Sequence, residues 1–463
     1  SIVCNNVPFE GNEFIYDLSN YYFGSSTIKF TCEIVLNGNE KICFDLIEIK
    51  NNIVNYSKGM TISAPYSHIK FTSTANYTDV CLNVPSTVKV LSIEALWNYY
   101  IRGICFDIAS SNEPLIINIK NIDLYAPYNF SAIKSDRDII INVFGTVRLT
   151  GGAGINDEVY IGLHGDPAIE MIDNTLVLNG AGSLSLIGGK GGNTSSGRSF
   201  SYNASAGRGG SAVEVGNLVI NVNSLNVTGG AGGSGGAGTN GAAGQDGVGY
   251  QSNGVGARGT DGEDGGYGCG GGNGGMGIWV VKSYCAIYTT NLTVSGGRGG
   301  NGGRGGNGGK GGNGAQGKDG GLFGGQCGGG RGGSGGQGGN GGDYGTGMIA
   351  FNESDIRKVI NFTGTDFTAM FKTWSSNGSA GAGGNGGKGG TGGPGGKNTW
   401  GSQAASGPDG YDGLDGNSGG NPNPSHSMES DDLTAIRRKI LNEYLIERLG
   451  IEKMEEIYGP QTS

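Results

Sequence analysis

The chain has 463 residues, of which 99 are glycine and only 11 proline, and its formal net charge is −9. This composition excludes both an ordinary globular domain throughout and a collagen, which needs proline to hold its helices, and the acidic balance argues against nucleic acid as a partner. No apolar run reaches the roughly 18 residues of a membrane helix, so no membrane insertion is expected, and the opening at Ser1 without methionine is read as loss of a leader or of the initiator.

Residues 1–150 carry a normal share of Ile, Val, Phe and Tyr, whereas glycine is concentrated after about residue 150. One alternating apolar segment recurs along the chain: ICFDL at Cys43, VCLNV at Cys81, ICFDI at Cys105, SAIKS at Ala132, PAIEM at Ala168, SAVEV at Ala212, GIWVV at Ile278 and GMIAF at Met348. The spacings of 38, 24, 27, 36, 44, 66 and 70 describe a unit that lengthens at one place toward the C-terminus. A second column, LIINI, IIINV, LVLNG and LVINV, puts Asn118, Asn142, Asn179 and Asn221 in one register.

Three short strands per unit and no helix predict an all-β fold, a right-handed parallel β-helix of about eight coils, because a unit this small must stack on its neighbours to bury its apolar face. The cysteine and alanine column is expected inside, although Asp45, Asn83, Asp107, Lys134, Glu170 and Glu214 two residues on then share its face. Stacked cysteines lie close enough for disulfides, but in-register parallel neighbours rarely meet the required dihedral, so inward thiols are expected. Five cysteines before residue 106 and three after 268 exclude full pairing within each half.

Glycine occupies every third position from Gly296 through Gly320, and the phase breaks at GLFGGQCG before resuming from Gly329 to Gly341. Two other insertions behave alike: Gly229–Gly247 and Gly256–Gly277 around VGYQSNGV, and Gly378–Gly396 and Gly407–Gly419 around KNTWGSQAAS. A disordered linker has no reason to keep a three-residue phase. Period three is the repeat of a polyproline II-like helix, and such chains must find their hydrogen bonds in neighbours. These insertions are therefore predicted to be polyglycine II hairpins emitted from one corner, with the third side chain outward. After NPNPSHSMES, the segment DDLTAIRRKILNEYLIERLG predicts a C-terminal amphipathic helix with Leu433, Ile436, Ile440, Tyr444 and Leu449 on one face. It serves either as a local cap or as the element that docks on a neighbouring protomer.

The GGX hairpins over residues 229–420 resemble the glycine-rich modules of T-even phage tail-fibre adhesins and, more distantly, the springtail antifreeze protein. The resemblance implies packed polyglycine II helices and receptor contact through hairpin tips. Those tips would be 248–255, 321–328 and 397–406, with Tyr250, Phe323 and Trp400 as contacts. The phage modules are not built on a long β-helix, which sets this chain apart.

Catalysis is not expected. Asp136, Asp138, Asp157, Glu158 and Asp166 lie near a corner without a paired basic constellation, and His68, His164 and His426 fall in unrelated segments without zinc spacing. No cofactor or metal is expected. Ten Asn-X-Ser/Thr sequons, among them Asn55, Asn76, Asn129, Asn226 and Asn291, are compatible with a secreted glycoprotein. The expected organisation is coils over 1–150, coils with growing insertions over 151–377, a last hairpin and linker over 378–424, and the helix over 425–463. The expected role is a non-enzymatic extracellular or virion-surface protein, either a self-assembling fibre or sheath subunit or an adhesin whose partner is a cell-surface receptor or glycan.

Overall fold

The computed structural model describes residues 2–4, 7–8, 27–36, 40–50, 52–55, 61–63, 65–156, 162–194, 205–248, 257–281, 285–287, 289, 291–313, 331–332, 334–350, 359–361, 375–395 and 405–419. Among them every regular element is a strand, and the strands form a 4-stranded and a 16-stranded sheet. All pairings in the larger sheet are parallel, and each joins a strand segment to its counterpart in the neighbouring sequence unit.

Three columns of segments arise in this way. Leu115, Ile139, Leu176, Leu218 and Cys285 head successive segments of one column. Asp123, Arg148, Ser185 and Asn226 are successive partners in the second. Phe106, Ile133, Ile169, Val213, Ile278 and Met348 follow one another in the third. Long strands such as Val90–Ile108 and Ile169–Ile187 pass through more than one column, and their register shifts mark the bends between columns. At one such bend Gly145 takes φ 66° beside Asn121 at φ 51°, and a side chain on Gly145 would fall on the Asn121 carboxamide, so glycine is required there.

Period-two burial runs through the shorter strands: Ile139–Phe144 alternates buried with half-buried residues. The buried members merge into one apolar core, with Ile117, Ile141, Leu178 and Ile220 from the first column and Leu124, Leu149, Leu186, Val227 and Val294 from the second, all fully buried. At about 1.5–3 kcal/mol for each buried Leu, Ile or Val, this stack is the main source of stability in the sheet.

Four expectations change here. Cys43 is not in the parallel stack: Glu40–Lys50 pairs antiparallel with Thr27–Leu36, and Cys43 faces Glu33. Of the Cys and Ala column, Cys105, Ala132, Ala168 and Ala212 are buried as expected but Cys81 is exposed, and the next residue of each segment, Leu82, Phe106, Ile133, Ile169 and Val213, is buried as well. Cys81 and Cys105, in register on adjacent units, form a disulfide instead of remaining thiols, closing a sequence separation of 24 that stabilises the fold by about 3 kcal/mol through the unfolded state. Finally, Val213 pairs with Ile278, so it is Gly277 and not Ile278 that takes the place of Ala212.

Candidate functional surface: the glycine lattice

The glycine segments leave the sheet after Thr150, Ile187, Thr228, Ser295 and Ser376, and return before Ile169, Val213, Ile278 and Met348. They make five hairpins. The described outgoing legs are 151–156, 188–194, 229–248, 296–313 and 377–395, and the returning legs are 162–168, 205–212, 257–277, 331–347 without 333, and 405–419. Within a triplet such as Gly296-Gly297-Arg298 the three places have separate duties.

The first-place N–H donates to a third-place carbonyl in the same-direction leg of the following hairpin: Gly232 to Arg298 at 2.8 Å, Gly305 to Asn385 at 2.9 Å, Gly335 to Tyr411 at 2.7 Å. The second-place N–H donates to a second-place carbonyl in an antiparallel leg: Gly297 to Gly275 at 2.7 Å, Gly342 to Gly300 at 2.8 Å, Gly416 to Gly384 at 2.8 Å. Backbone groups that have no partner within their own leg are thus bonded in two directions. The two short hairpins follow the same rule, with Gly154 donating to Lys190 and Gly191 to Ala231.

Close approach explains the glycines. A Cβ on second-place Gly300 would fall on the carbonyl of Gly233 in the preceding hairpin, and one on first-place Gly305 would fall on the carbonyl of Gly336 and within 2.8 Å of the Gly387 nitrogen. Several second-place exceptions obey the same geometry. Thr239, Ala242 and Gln245 occupy second places past Thr194, the described end of the preceding outgoing leg. Ile155 and Leu163 occupy second places in the first hairpin, which has no hairpin before it, and each is 47% exposed.

The third-place side chains were expected simply to face outward. Several do more, because an Asn or Asp Oδ1 accepts the N–H of the third-place residue one hairpin on. Asn193 accepts from Ser234, Asn240 from Asn307, Asn307 from Lys388, and Asp264 from Ser334, at 2.6–3.0 Å. The N–H that the two backbone ladders omit is satisfied in this way.

The last hairpin departs from GGX. Its returning leg reads GPDGYDGLDG, and Gly410 and Gly413 keep the second place while Asp409, Asp412 and Asp415 take the first. Each Asp Oδ1 accepts, at 2.7 Å, the first-place N–H of Gly392, Gly389 or Gly386 in the outgoing leg of the same hairpin. In every earlier hairpin the equivalent N–H reaches the next one. Here no further hairpin follows among the described residues, and carboxylates take its role.

On the sheet, two polar columns stand out. Asn142 donates to Asn118 at 2.9 Å, Asn179 to Asn142 at 3.0 Å and Asn221 to Asn179 at 2.9 Å, in the register read from the sequence. Asn142→Ala removes two of these bonds and leaves the Oδ1 of Asn118, a residue 1% exposed, without its donor; a loss of about 1–3 kcal/mol in denaturant unfolding is expected.

The second column contains Asp107, Lys134, Glu170 and Glu214, with Asp166 beside it. Lys134 pairs with Glu170 at 3.3 Å, and Ser131 donates to Glu170 at 2.7 Å. The corner carboxylates were expected to lack a basic partner; stacking places Lys134 beside Glu170 and near Asp166. Burial first, and then the charges of Glu170 and Glu214, push the Asp166 pKa up to about 6, with Lys134 opposing. Burial likewise raises Glu214. The folded chain therefore holds the Asp166 proton between about pH 4 and 6, where the unfolded chain has released it, so this contribution to stability is present at the acid end and lost as pH rises toward 6. Asp166→Asn should flatten the dependence of the denaturant midpoint on pH across that window.

Tyr250, Phe323 and Trp400, and the helix positions Leu433, Ile436, Ile440, Tyr444 and Leu449, lie outside the described residues, as do Asp157 and Glu158. Asp138 lies apart, accepting the N–H of Thr175 at 2.7 Å, whereas the charge of Glu170, joined by those of Asp136 and Asp107, raises the Lys134 pKa. Among the described residues no group of three or more His, Cys, Asp and Glu side chains is placed to hold a metal. Compared with known proteins, the chain matches no family model, no curated protein and no solved structure.

Proposed function

We propose that the three strand columns wrap into a right-handed parallel β-helix whose coils emit polyglycine II hairpins. On this reading the protein is a non-enzymatic extracellular structural protein, the repeating subunit of a surface fibre or sheath whose main partner is itself. Pairing between units throughout the parallel sheet supports the coil reading, and the right-handed crossover preference sets its hand. The observation that carries the function is the two-direction bonding of the triplets, which turns the glycine-rich part of the chain into a stiff slab fixed to the sheet. A slab of this kind costs much backbone entropy to order and is suited to bearing load or holding a surface at a distance.

Sequons at Asn76, Asn226 and Asn291 are exposed, which suits a secreted chain. The adhesin reading finds support in Val248, 89% exposed at the last described position of the third outgoing leg. Electron microscopy of the assembled protein separates the two: a fibre subunit gives filaments or sheets with a regular axial repeat, an adhesin gives discrete particles with free hairpin ends. Deleting 425–463 should abolish the filaments while the sheet stays folded, and filaments that persist would remove the proposed joining role of that segment.

A further inference from the structure

We infer that the outgoing-leg face of the glycine lattice is a binding surface for a linear acidic polysaccharide; the spacing of the groups rests on the polyglycine II reading above. The third places of the fourth outgoing leg read Arg298, Asn301, Arg304, Asn307, Lys310, Asn313. Lys388 of the fifth hairpin donates its N–H to Asn307 Oδ1 at 3.0 Å, which seats it one hairpin over, between Arg304 and Lys310. Arg298, Arg304, Lys310 and Lys388 are all exposed.

The amides between the cations are oriented. Asn301 Oδ1 accepts from the Ala382 N–H and from Arg298, and Asn307 Oδ1 accepts from the Lys388 N–H and from Arg304. Each carboxamide is thereby fixed with its oxygen turned inward and its Nδ2 donor turned away. Among the described outgoing legs Asp246 is the only acid in a third place, and it sits at the outer end bonded to Asn313. The returning legs, by contrast, mix Arg208, Arg258 and Arg331 with Asp261, Asp264 and Asp343. A chain of net charge −9 thus carries one face on which the charged third-place residues, Asp246 apart, are all cations, set among asparagines and small residues.

At a rise of ~3.1 Å per residue, each triplet advances about 9 Å and successive cations on the leg stand about 19 Å apart, with an amide midway. That alternation suits a polymer whose charges recur among hydroxyl groups, as in an acidic polysaccharide. It suits nucleic acid poorly, because no aromatic side chain occupies a third place in the described outgoing legs to stack on bases. Held on a rigid frame, the donors lose little entropy on binding.

The test measures binding of the full chain to immobilised heparin and polygalacturonate at low ionic strength, with dextran and poly(dT) as controls, alongside amide exchange over 296–313. The wild type should bind both acidic polysaccharides, weakening with added salt, and should ignore dextran. Replacing Arg298, Arg304, Lys310 and Lys388 together by Ser should cost about tenfold or more in affinity. Lys310→Glu with Lys388→Glu, both at exposed positions, should do the same without touching the Arg–Asn pairs, while Arg258→Ser with Arg331→Ser on the returning face should leave binding unchanged. Equal binding to dextran, stronger binding to poly(dT), or unchanged affinity in both outgoing-face variants would overturn the inference. Slow exchange over 296–313 without polysaccharide binding defeats this inference alone, whereas fast exchange in the wild type defeats the lattice reading itself.

Discussion

Gly305→Val should destroy the slow amide exchange of the fourth hairpin and lower stability by about 3 kcal/mol or more, whereas Asn307→Val, two residues away, should cost about 1 kcal/mol or less. Gly305 is a first-place glycine. Its N–H reaches Asn385 at 2.9 Å, and a valine there would drive its Cβ into the carbonyl of Gly336 and crowd the Gly387 nitrogen. Backbone on two neighbouring legs would have to move, and each leg is bonded to others in turn. Asn307 is a third-place residue facing out; valine there removes its bonds with Lys388 and Arg304 but meets no backbone. Exchange measured by mass spectrometry on both variants decides the matter, and equal effects would show that the glycines are not packed as described.

The contrast also shows what the sequence could and could not reveal. The triplet phase was legible because it holds through many repeats in the long hairpins. It was missed at 151–156 and 188–194, where too few triplets occur to define a period. Position-specific exceptions such as Thr239 and Ala242 make sense only once the shorter preceding hairpin is known. The Asn column was legible because Asn is recognisable in each repeat and stacks on itself. ICFDL at Cys43 and ICFDI at Cys105 are nearly the same string, yet the first pairs antiparallel and the second parallel. Alternation sets which faces are apolar; it does not set the direction of the partner strand.

At Ile278 and Met348 the register lies one residue from the expected one, because the small residue of the motif is there a glycine, Gly277 or Gly347, with no side chain to mark the column. Lys134, Glu170 and Glu214 are far apart in sequence and meet only through stacking. Arg137 is 1% exposed and donates to the Val88 carbonyl at 2.9 Å, with Ser86 and Pro85 near its hydrogen-bonding limit. Nothing in its local sequence distinguishes it from a surface arginine.

Replacing Asp409, Asp412 and Asp415 together by glycine should make the protein self-associate through its last hairpin. The three carboxylates occupy first places, where most positions of the earlier hairpins, such as Gly332 and Gly335 in the fourth returning leg, carry glycine and a Cβ would meet the backbone of the following hairpin. They act in two ways. Their side chains fill the space a further leg would take, and their oxygens bond the N–H groups of Gly386, Gly389 and Gly392 that such a leg would otherwise engage. An edge with unpaired backbone donors invites another chain, and inward-turned charge is a common remedy on β-sheet edges. The first hairpin is blocked differently, by Ile155 and Leu163 in second places. Both ends of the lattice are therefore unsuited to stacking on a like lattice, so a fibre built from this chain must be joined through other surfaces. The glycine triple variant restores the internal pattern at one end, and light scattering should show its mass rising with concentration. The corresponding alanine variant loses the acceptors but keeps a Cβ in the way; it should stay at the wild-type mass while the amides of Gly386, Gly389 and Gly392 exchange faster. If the glycine variant keeps both the wild-type mass and the wild-type exchange, the aspartates do not close the lattice, and the joint between protomers is to be sought at the fifth hairpin after all.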